Sequence, residues 1–180
     1  MPRSRNPETP EERELLVAFS DLTEFTRVTA ELPAPRVFQL MNSYFELVGD
    51  LVEEAGGTVV KCIGDAFLAV FPANRAERGV RALHRLREEG DRWFEERKLG
   101  CRHRIRAHFG PVACGPFGTR SAKRFDVYGM TVNAAARTPS DGLALTEAAF
   151  RLLSPATRKL FRRRAPPAFY AAKGPGRGPR

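Results

Sequence analysis

Apolar residues along this chain fall into two rhythms. "LLVAFS", residues 15–20, is a continuous apolar run of the kind a buried strand carries. From Pro33 to Ala55 the spacing changes, with Val37, Leu40, Met41, Tyr44, Leu47, Val48, Leu51 and Val52 recurring along one helical face. Gly56 and Gly57 stop that helix. "TVVKC" and "AFLAVF" then read as strands joined too tightly for anything but a hairpin. Residues 73–98 predict a second helix with Ala76, Val80, Leu83 and Leu86 inward, and "RHRIRAHF" at 102–109 predicts a fourth strand. The order strand, helix, strand, strand, helix, strand is the split βαβ arrangement. The expected fold class is therefore α+β, with a ferredoxin-like βαββαβ core.

Shorter elements extend that core. "GPVACGPF" reads as strand and "GTRSAKR" as a basic loop, followed by a strand onto "FDV" and a short helix "TVNAAAR" with Thr131 as its N-cap. "LALT", a helix from Glu147 to Leu153 and one short strand in "APPAFYAAKGPGRGPR" complete the chain, which has no internal repeat. The sequence divides into a flexible N-terminal segment at 1–14, one folded domain at 15–172 and a basic Pro/Gly-rich tail at 173–180.

The topology has a chemical consequence. If strand one runs up the sheet and its helix returns, strand two runs up again and strand three runs down beside strand one. Asp21 then follows the top of strand one, and Asp65 starts strand three at the same end. An aspartate beside a tight turn is normally a solvated turn residue. Two carboxylates meeting at one sheet edge, however, repel each other unless a cation lies between them. Hard oxygen ligands, basic surroundings and no His or Cys at useful spacing select Mg²⁺ or Mn²⁺ over zinc. Such a carboxylate pair commonly holds two metals about 3.5 to 4 Å apart for phosphoryl chemistry.

Composition narrows the partners. Thirty Lys plus Arg against 21 Asp plus Glu give a formal charge of +9, which favours an anionic ligand. Much of the excess lies in "RAERGVRALHRLREE" and "TRKLFRRR", where a solvated helix face and tail explain it more readily than a nucleic-acid surface does. Three cysteines without a CxxC pair, and no long apolar run, point to a cytoplasmic protein with free thiols and no membrane segment.

A second constellation is "FDVYGMTVNAAAR", where Asn133 and Arg137 stand four apart and share a helix face. With "LLVAFSDLTEFT", "MNSYFELVGDLVEEAGGTVVKCIGDAFLAVFP", "RIRAHFGPVACG" and "LALTEAAFRLL", it resembles the catalytic domain of class III nucleotidyl cyclases, the adenylate and guanylate cyclases, over roughly Leu15 to Leu153. The resemblance implies that Asp21 and Asp65 bind two Mg²⁺ or Mn²⁺ ions per site, with the main-chain carbonyl of Leu22 as a further ligand. It implies that Asn133 orients the ribose and Arg137 stabilises the α-phosphate. Lys61 and Asp126 match the positions that read the base, and Lys173 in "AAKGPG" matches a phosphate-binding lysine, although it reads equally well as a tail lysine. "RGPR" stands where the family carries a closing strand. The implied assembly is a head-to-tail homodimer whose sites draw on both chains.

Adenine offers an acceptor at N1 and a donor at its 6-amino group, which suit Lys61 and an ionised Asp126; guanine offers the reverse. The implied activity is adenylate cyclase, turning ATP into 3′,5′-cyclic AMP and pyrophosphate. The alternative is a catalytically weak cyclase-like module that dimerises and regulates. No nucleic acid partner is expected, because "RHRIRAHF" lacks the aromatic and glycine pattern of an RNA-recognition strand. A polymerase palm shares the two carboxylates and leaves Asn133, Arg137 and the Lys61 and Asp126 pair unexplained.

Overall fold

The computed structural model describes residues 9–164 and 168–173. The chain order is β1 (Glu11–Leu22), α1 (Phe25–Ala30), α2 (Ala34–Glu54), β2 (Thr58–Ile63), β3 (Ala66–Pro72), α3 (Ala76–Glu96), β4 (His103–Gly118) and β5 (Lys123–Tyr128). Then come α4 (Met130–Arg137), β6 (Leu143–Leu145), α5 (Glu147–Arg151), α6 (Pro155–Arg158), β7 (Phe161–Arg164) and β8 (Phe169–Ala172). One sheet holds all eight strands in the order β2-β3-β1-β4-β6-β8-β7, with β5 pairing the outer part of β4. The first four strands stand as β2-β3-β1-β4, the arrangement of the expected α+β, ferredoxin-like core.

The two faces of this sheet differ. Leu16, Ala18, Phe67, Ala69, Phe71, Ile105 and Ala107 point toward α2 and α3 and join their apolar stripes in the larger core. Met41, Tyr44, Val48 and Leu51 of α2 and Val80, Leu83, Leu86 and Phe94 of α3 complete it. On the opposite face, Leu15, Val17, Leu68, Val70, Val112, Cys114 and Val127 form a smaller cluster under Ala135 of α4. Alternation along β1 and β4 places Asp21, Arg104 and Arg106 on that second face. The two long helices therefore support the sheet from behind while the other side stays available for a site.

Several boundaries differ from the sequence expectation. Residues 11–14, assigned to a flexible lead-in, belong to β1 and pair with Pro111 to Cys114 of β4. Their side chains are charged and largely exposed, so only the backbone ladder reveals the strand. "RHRIRAHF" and "GPVACGPF" are one strand, β4, which runs on through Gly110 and Pro111. Thr131 does not cap α4: Gly129 holds that position, and the Thr131 hydroxyl donates to the Pro111 carbonyl at 2.6 Å, tying α4 to β4. In "TRKLFRRR", Phe161 is buried and starts β7, whose arginines are exposed. Residues 1–8 and 174–180, which include most of the expected lead-in and tail, lie outside the described residues. The thiols Cys62, Cys101 and Cys114 are free, as expected.

A buried polar chain bolts the helices to the sheet. The Tyr44 hydroxyl lies 3.0 Å from His103 Nε2, and His103 Nδ1 lies 2.8 Å from Asp91 Oδ1, which also accepts the His103 main-chain N–H at 2.9 Å. One residue from each of α2, α3 and β4 takes part, and every buried polar atom named here has a partner, as burial requires.

Phe71, fully buried on β3, lies between two glycines: a Cβ on Gly57 would stand 2.4 Å from its ring, and one on Gly79 would stand 2.5 Å from the ring's attachment carbon. The ring root cannot swing aside as a flexible tip could. Alanine adds about 1 kcal/mol of helix propensity in α3, but overpacking typically costs about 1 to 3 kcal/mol, and steric contact wins at this distance. Gly79→Ala is expected to lower stability by up to about 2 kcal/mol, read as a lower urea midpoint; an unchanged or raised midpoint would show that the core yields at Phe71.

Candidate functional site

The β2–β3 hairpin turns through Gly64 and Asp65. Gly64 has φ of +62°, in the left-handed region that glycine enters without a side-chain penalty. That tight turn sets Asp65 at the upper edge of the sheet. Its Oδ2 accepts the main-chain N–H of Leu22 at 2.9 Å, so the loop aspartate is docked on the end of β1. Asp21 is the neighbouring residue. The two carboxylates therefore reach one edge, as the topology predicts.

Asp21 is not left facing solvent. Antiparallel pairing sets it opposite Arg104, and Phe19 opposite Arg106, so both arginines project beside it from β4. Arg104 Nε donates to Asp21 Oδ1 at 2.6 Å, and Arg106 Nη1 donates to Asp21 Oδ2 at 2.9 Å. The Asp21 and Arg106 side chains are only 22% and 14% exposed, which makes this a sheltered pair. Neither arginine follows from the sequence reading. The signal was present in the alternation of "RHRIRAHF", which puts Arg104 and Arg106 on one strand face and Ile105 and Ala107 on the other; only the register shows that Asp21 lies opposite.

Lys61 and Asp126 come from strands 65 positions apart and meet, with Lys61 Nζ 2.7 Å from Asp126 Oδ2. A register shift between Val59 and Lys61 makes this possible. Val59 opposes Ala69 on the helix-covered face, and regular alternation would send Lys61 to that same face. The bulge instead sets Lys61 opposite Leu68, on the face that carries Asp21. Asp126 Oδ1 accepts the Val127 N–H at 2.8 Å, which fixes its carboxylate, and the Lys61 ammonium lies 5.5 Å from the centre of the Tyr128 ring. Lys61 keeps further N–H donors and Asp126 further lone pairs for a ligand.

Asn133 and Arg137 are exposed on α4, four residues apart, with Ala135 between them buried against the sheet. Lys173 is exposed directly after β8; its N–H donates to the Leu160 carbonyl at 2.8 Å, and its carbonyl accepts from Arg87 Nη2 at 3.4 Å. The backbone of Lys173 is thus anchored while its side chain faces outward.

Hard divalent ions take carboxylate and carbonyl oxygens. Asp21, Asp65 and the Leu22 carbonyl are such donors on adjoining segments, so the set fits Mg²⁺ or Mn²⁺ in kind. It is a sparse set: among the described residues no three His, Cys, Asp or Glu side chains cluster as metal ligands, and Asp21 already has a guanidinium on each oxygen. The field of Asp65 also reaches nearby groups. Burial and then that carboxylate push the Tyr44 phenol well above its ordinary range and the Cys101 thiol up to about 11, which leaves this cysteine protonated and inert at neutral pH.

Known proteins resemble this chain over most of its length. The adenylate and guanylate cyclase catalytic domain family matches residues 8–164. An adenylate cyclase of Anabaena cylindrica is 28% identical over 133 residues, covering 69% of this chain and 26% of that protein. An uncharacterized protein of Mycobacterium tuberculosis is 35% identical over 137 residues, 75% of this chain and 25% of its own length. The chain thus spans about a quarter of the length of these relatives. Among solved structures, the adenylyl cyclase CyaB from P. aeruginosa superposes with a TM-score of 0.80 at 19% identity, covering 93% of this chain and 97% of that one. The guanylyl cyclase Cya2 superposes at 0.76 with 20% identity, covering 93% and 96%; at such identities the likeness is one of fold. No described helix is long and apolar enough to cross a membrane. With the family matched over residues 8–164, this chain belongs to the class III adenylate and guanylate cyclase catalytic domains.

Proposed function

We propose that this domain is an adenylate cyclase, converting ATP to 3′,5′-cyclic AMP and pyrophosphate at sites shared across a homodimer. The observation that carries the choice of nucleotide is the 2.7 Å contact between Lys61 and Asp126, which sets a donor and an acceptor side by side. Lys61 donates to adenine N1 and Asp126 accepts from the 6-amino group. Guanine would set its O6 against the carboxylate or its N1–H against the ammonium, leaving a polar group mismatched.

The reaction is in-line attack of the ribose 3′-oxygen on the α-phosphorus. The new O–P bond forms as the bond to the bridging oxygen breaks, the 3′-hydroxyl proton passes to solvent water, and pyrophosphate departs with the electron pair of the broken bond. Asn133 orients the ribose, and Arg137 offers a fixed guanidinium where negative charge builds on the α-phosphate. Lys173, exposed at the end of β8, reaches the outer phosphates. Asp21, Asp65 and the Leu22 carbonyl would hold two Mg²⁺ or Mn²⁺ ions, which would supply the positive charge that eases ionisation of the 3′-hydroxyl and neutralises the β- and γ-phosphates. The free thiols suit a cytoplasmic setting.

Support for a homodimer comes from the surface. Phe117 and Tyr128 contact each other at the β4–β5 ribbon and are 54% and 48% exposed, with Phe125 and Met130 also exposed nearby in sequence. Exposed apolar residues in such number mark a surface that another chain covers. One observation favours a second reading, a weakly active cyclase-like regulatory module: Asp21 is already neutralised by two arginines.

Incubating the purified protein with ATP or GTP and Mn²⁺, and identifying the product, separates these readings. Cyclic AMP formation is expected, and Asp65→Ala should reduce it by about a hundredfold or more, as loss of a metal-holding carboxylate does; a folded variant with near wild-type turnover would remove the metal role of Asp65.

Base selection has its own test. Lys61→Glu with Asp126→Cys supplies an acceptor and a weak donor where the base now meets a donor and an acceptor. A mismatched buried polar contact costs about 1 to 3 kcal/mol, so the ratio of ATP to GTP turnover should fall by about fivefold or more. An unchanged ratio would mean that these two side chains do not read the base.

Shared sites predict complementation. Asp21→Ala and Arg137→Ala should each be nearly inactive, yet a mixed dimer carries both defects in one site and neither in the other. Random re-pairing makes about half the dimers mixed, so activity should recover toward about a quarter of wild type. A mixture that stays inactive while size measurements show subunit exchange would place each site within one chain.

A further inference from the structure

Two arginines on one aspartate are more than a surface pair. We propose that Arg106, together with Arg104, is a built-in counter-cation that competes with the divalent ion for Asp21, so that loading the metal requires Arg106 to leave; this rests on the proposed metal role of Asp21. Each Asp21 oxygen is engaged, one at 2.6 Å by Arg104 and the other at 2.9 Å by Arg106. With its side chain only 14% exposed, Arg106 is held in place by the packed sheet face, where salt screens weakly. An exposed pair would contribute little; a sheltered, charge-assisted one must be broken before another cation can take the carboxylate.

Charge counting supports competition. Asp21 and Asp65 bring two negative charges to this edge, and Arg104 and Arg106 bring two positive ones, so the repulsion that a metal would relieve is already offset. A divalent ion approaching Asp21 also meets two like charges. Another anion can draw the guanidinium away. A triphosphate suits the planar fork of Arg106 as well as a carboxylate does, so the polyphosphate is the natural acceptor for the arginine as the metal takes Asp21. Metal binding without nucleotide is then weak because of Arg106, and the residue acts as a control on metal loading.

Mn²⁺ binding to the nucleotide-free protein, followed by the electron paramagnetic resonance signal of free Mn²⁺, tests this without any turnover. Arg106→Gln and Arg106→Ala should bind Mn²⁺ about tenfold or more tightly than wild type, the scale set by losing one charge-assisted hydrogen bond, while Arg106→Lys, which keeps the charge, should gain less. Circular dichroism and thermal melting establish that each variant is folded, and the glutamine variant preserves most of the packed stem. The gain should vanish in Asp21→Ala/Arg106→Gln. If folded Arg106→Gln and Arg106→Ala bind Mn²⁺ no more tightly than wild type while Asp21→Ala weakens binding, the competition is overturned and the metal role of Asp21 stands. If the gain survives in Asp21→Ala/Arg106→Gln, the ion binds elsewhere and the metal role of Asp21 falls with the proposal. Absence of Mn²⁺ binding in every variant overturns the proposal as well.

Discussion

β1 lies hydrogen-bonded between β3 and β4, and its register against each decides which side chains meet at the upper edge of the sheet. Ser20 pairs with Phe67 on one side, which brings the turn before β3, and with it Asp65, to the end of β1. Asp21 pairs with Arg104 on the other, which brings two guanidinium groups to its carboxylate. Slipping either pairing by one residue would send these side chains to the face filled by α2 and α3. The apolar half of β1 opposes such a slip, because Leu16 and Ala18 fit the larger core and Leu15 and Val17 the smaller one.

The support behind the site is equally defined. His103, the first residue of β4, pairs with Leu22 and is fully sheltered between Tyr44 and Asp91. A Cβ on Gly90 would stand 2.4 Å from the His103 ring, so the glycine in α3 is what admits the imidazole. This polar chain locks the start of β4 to both long helices, two positions or fewer from Leu22 and Arg104. A site that must hold charged groups at hydrogen-bond distances gains from such rigid backing.

Charge on this face is balanced locally even though the chain as a whole carries a formal +9. Asp21 is matched by Arg104 and Arg106, and Asp126 by Lys61. Each pair presents a donor next to an acceptor. The fold is common to an adenylyl and a guanylyl cyclase, so a nucleotide preference does not follow from the sheet itself.

Much of this was legible in the amino-acid sequence, because the elements that form the core announce themselves locally. Helical spacing in 33–55 and 73–98 became α2 and α3, the tight hairpin became β2 and β3, and strand order followed from connection rules, which brought Asp21 and Asp65 to one edge in advance. Family motifs supplied the remaining candidate residues. Sequence periodicity failed where the signal was carried by the backbone or by a distant partner. Residues 11–14 have no apolar pattern, yet they extend β1 because β4 offers them a ladder. Regular alternation would bury Lys61 on the wrong face, and only the bulge before it turns the ammonium toward Asp126. Arg104 and Arg106 read as ordinary basic strand residues until their register sets them against Asp21. The sequence by itself determined the long core helices and the central strands, since their apolar patterns depend on neighbours a few positions away. The tertiary structure decided which charges neutralise one another, since electrostatic pairing depends on distances of a few ångströms between residues up to 85 positions apart.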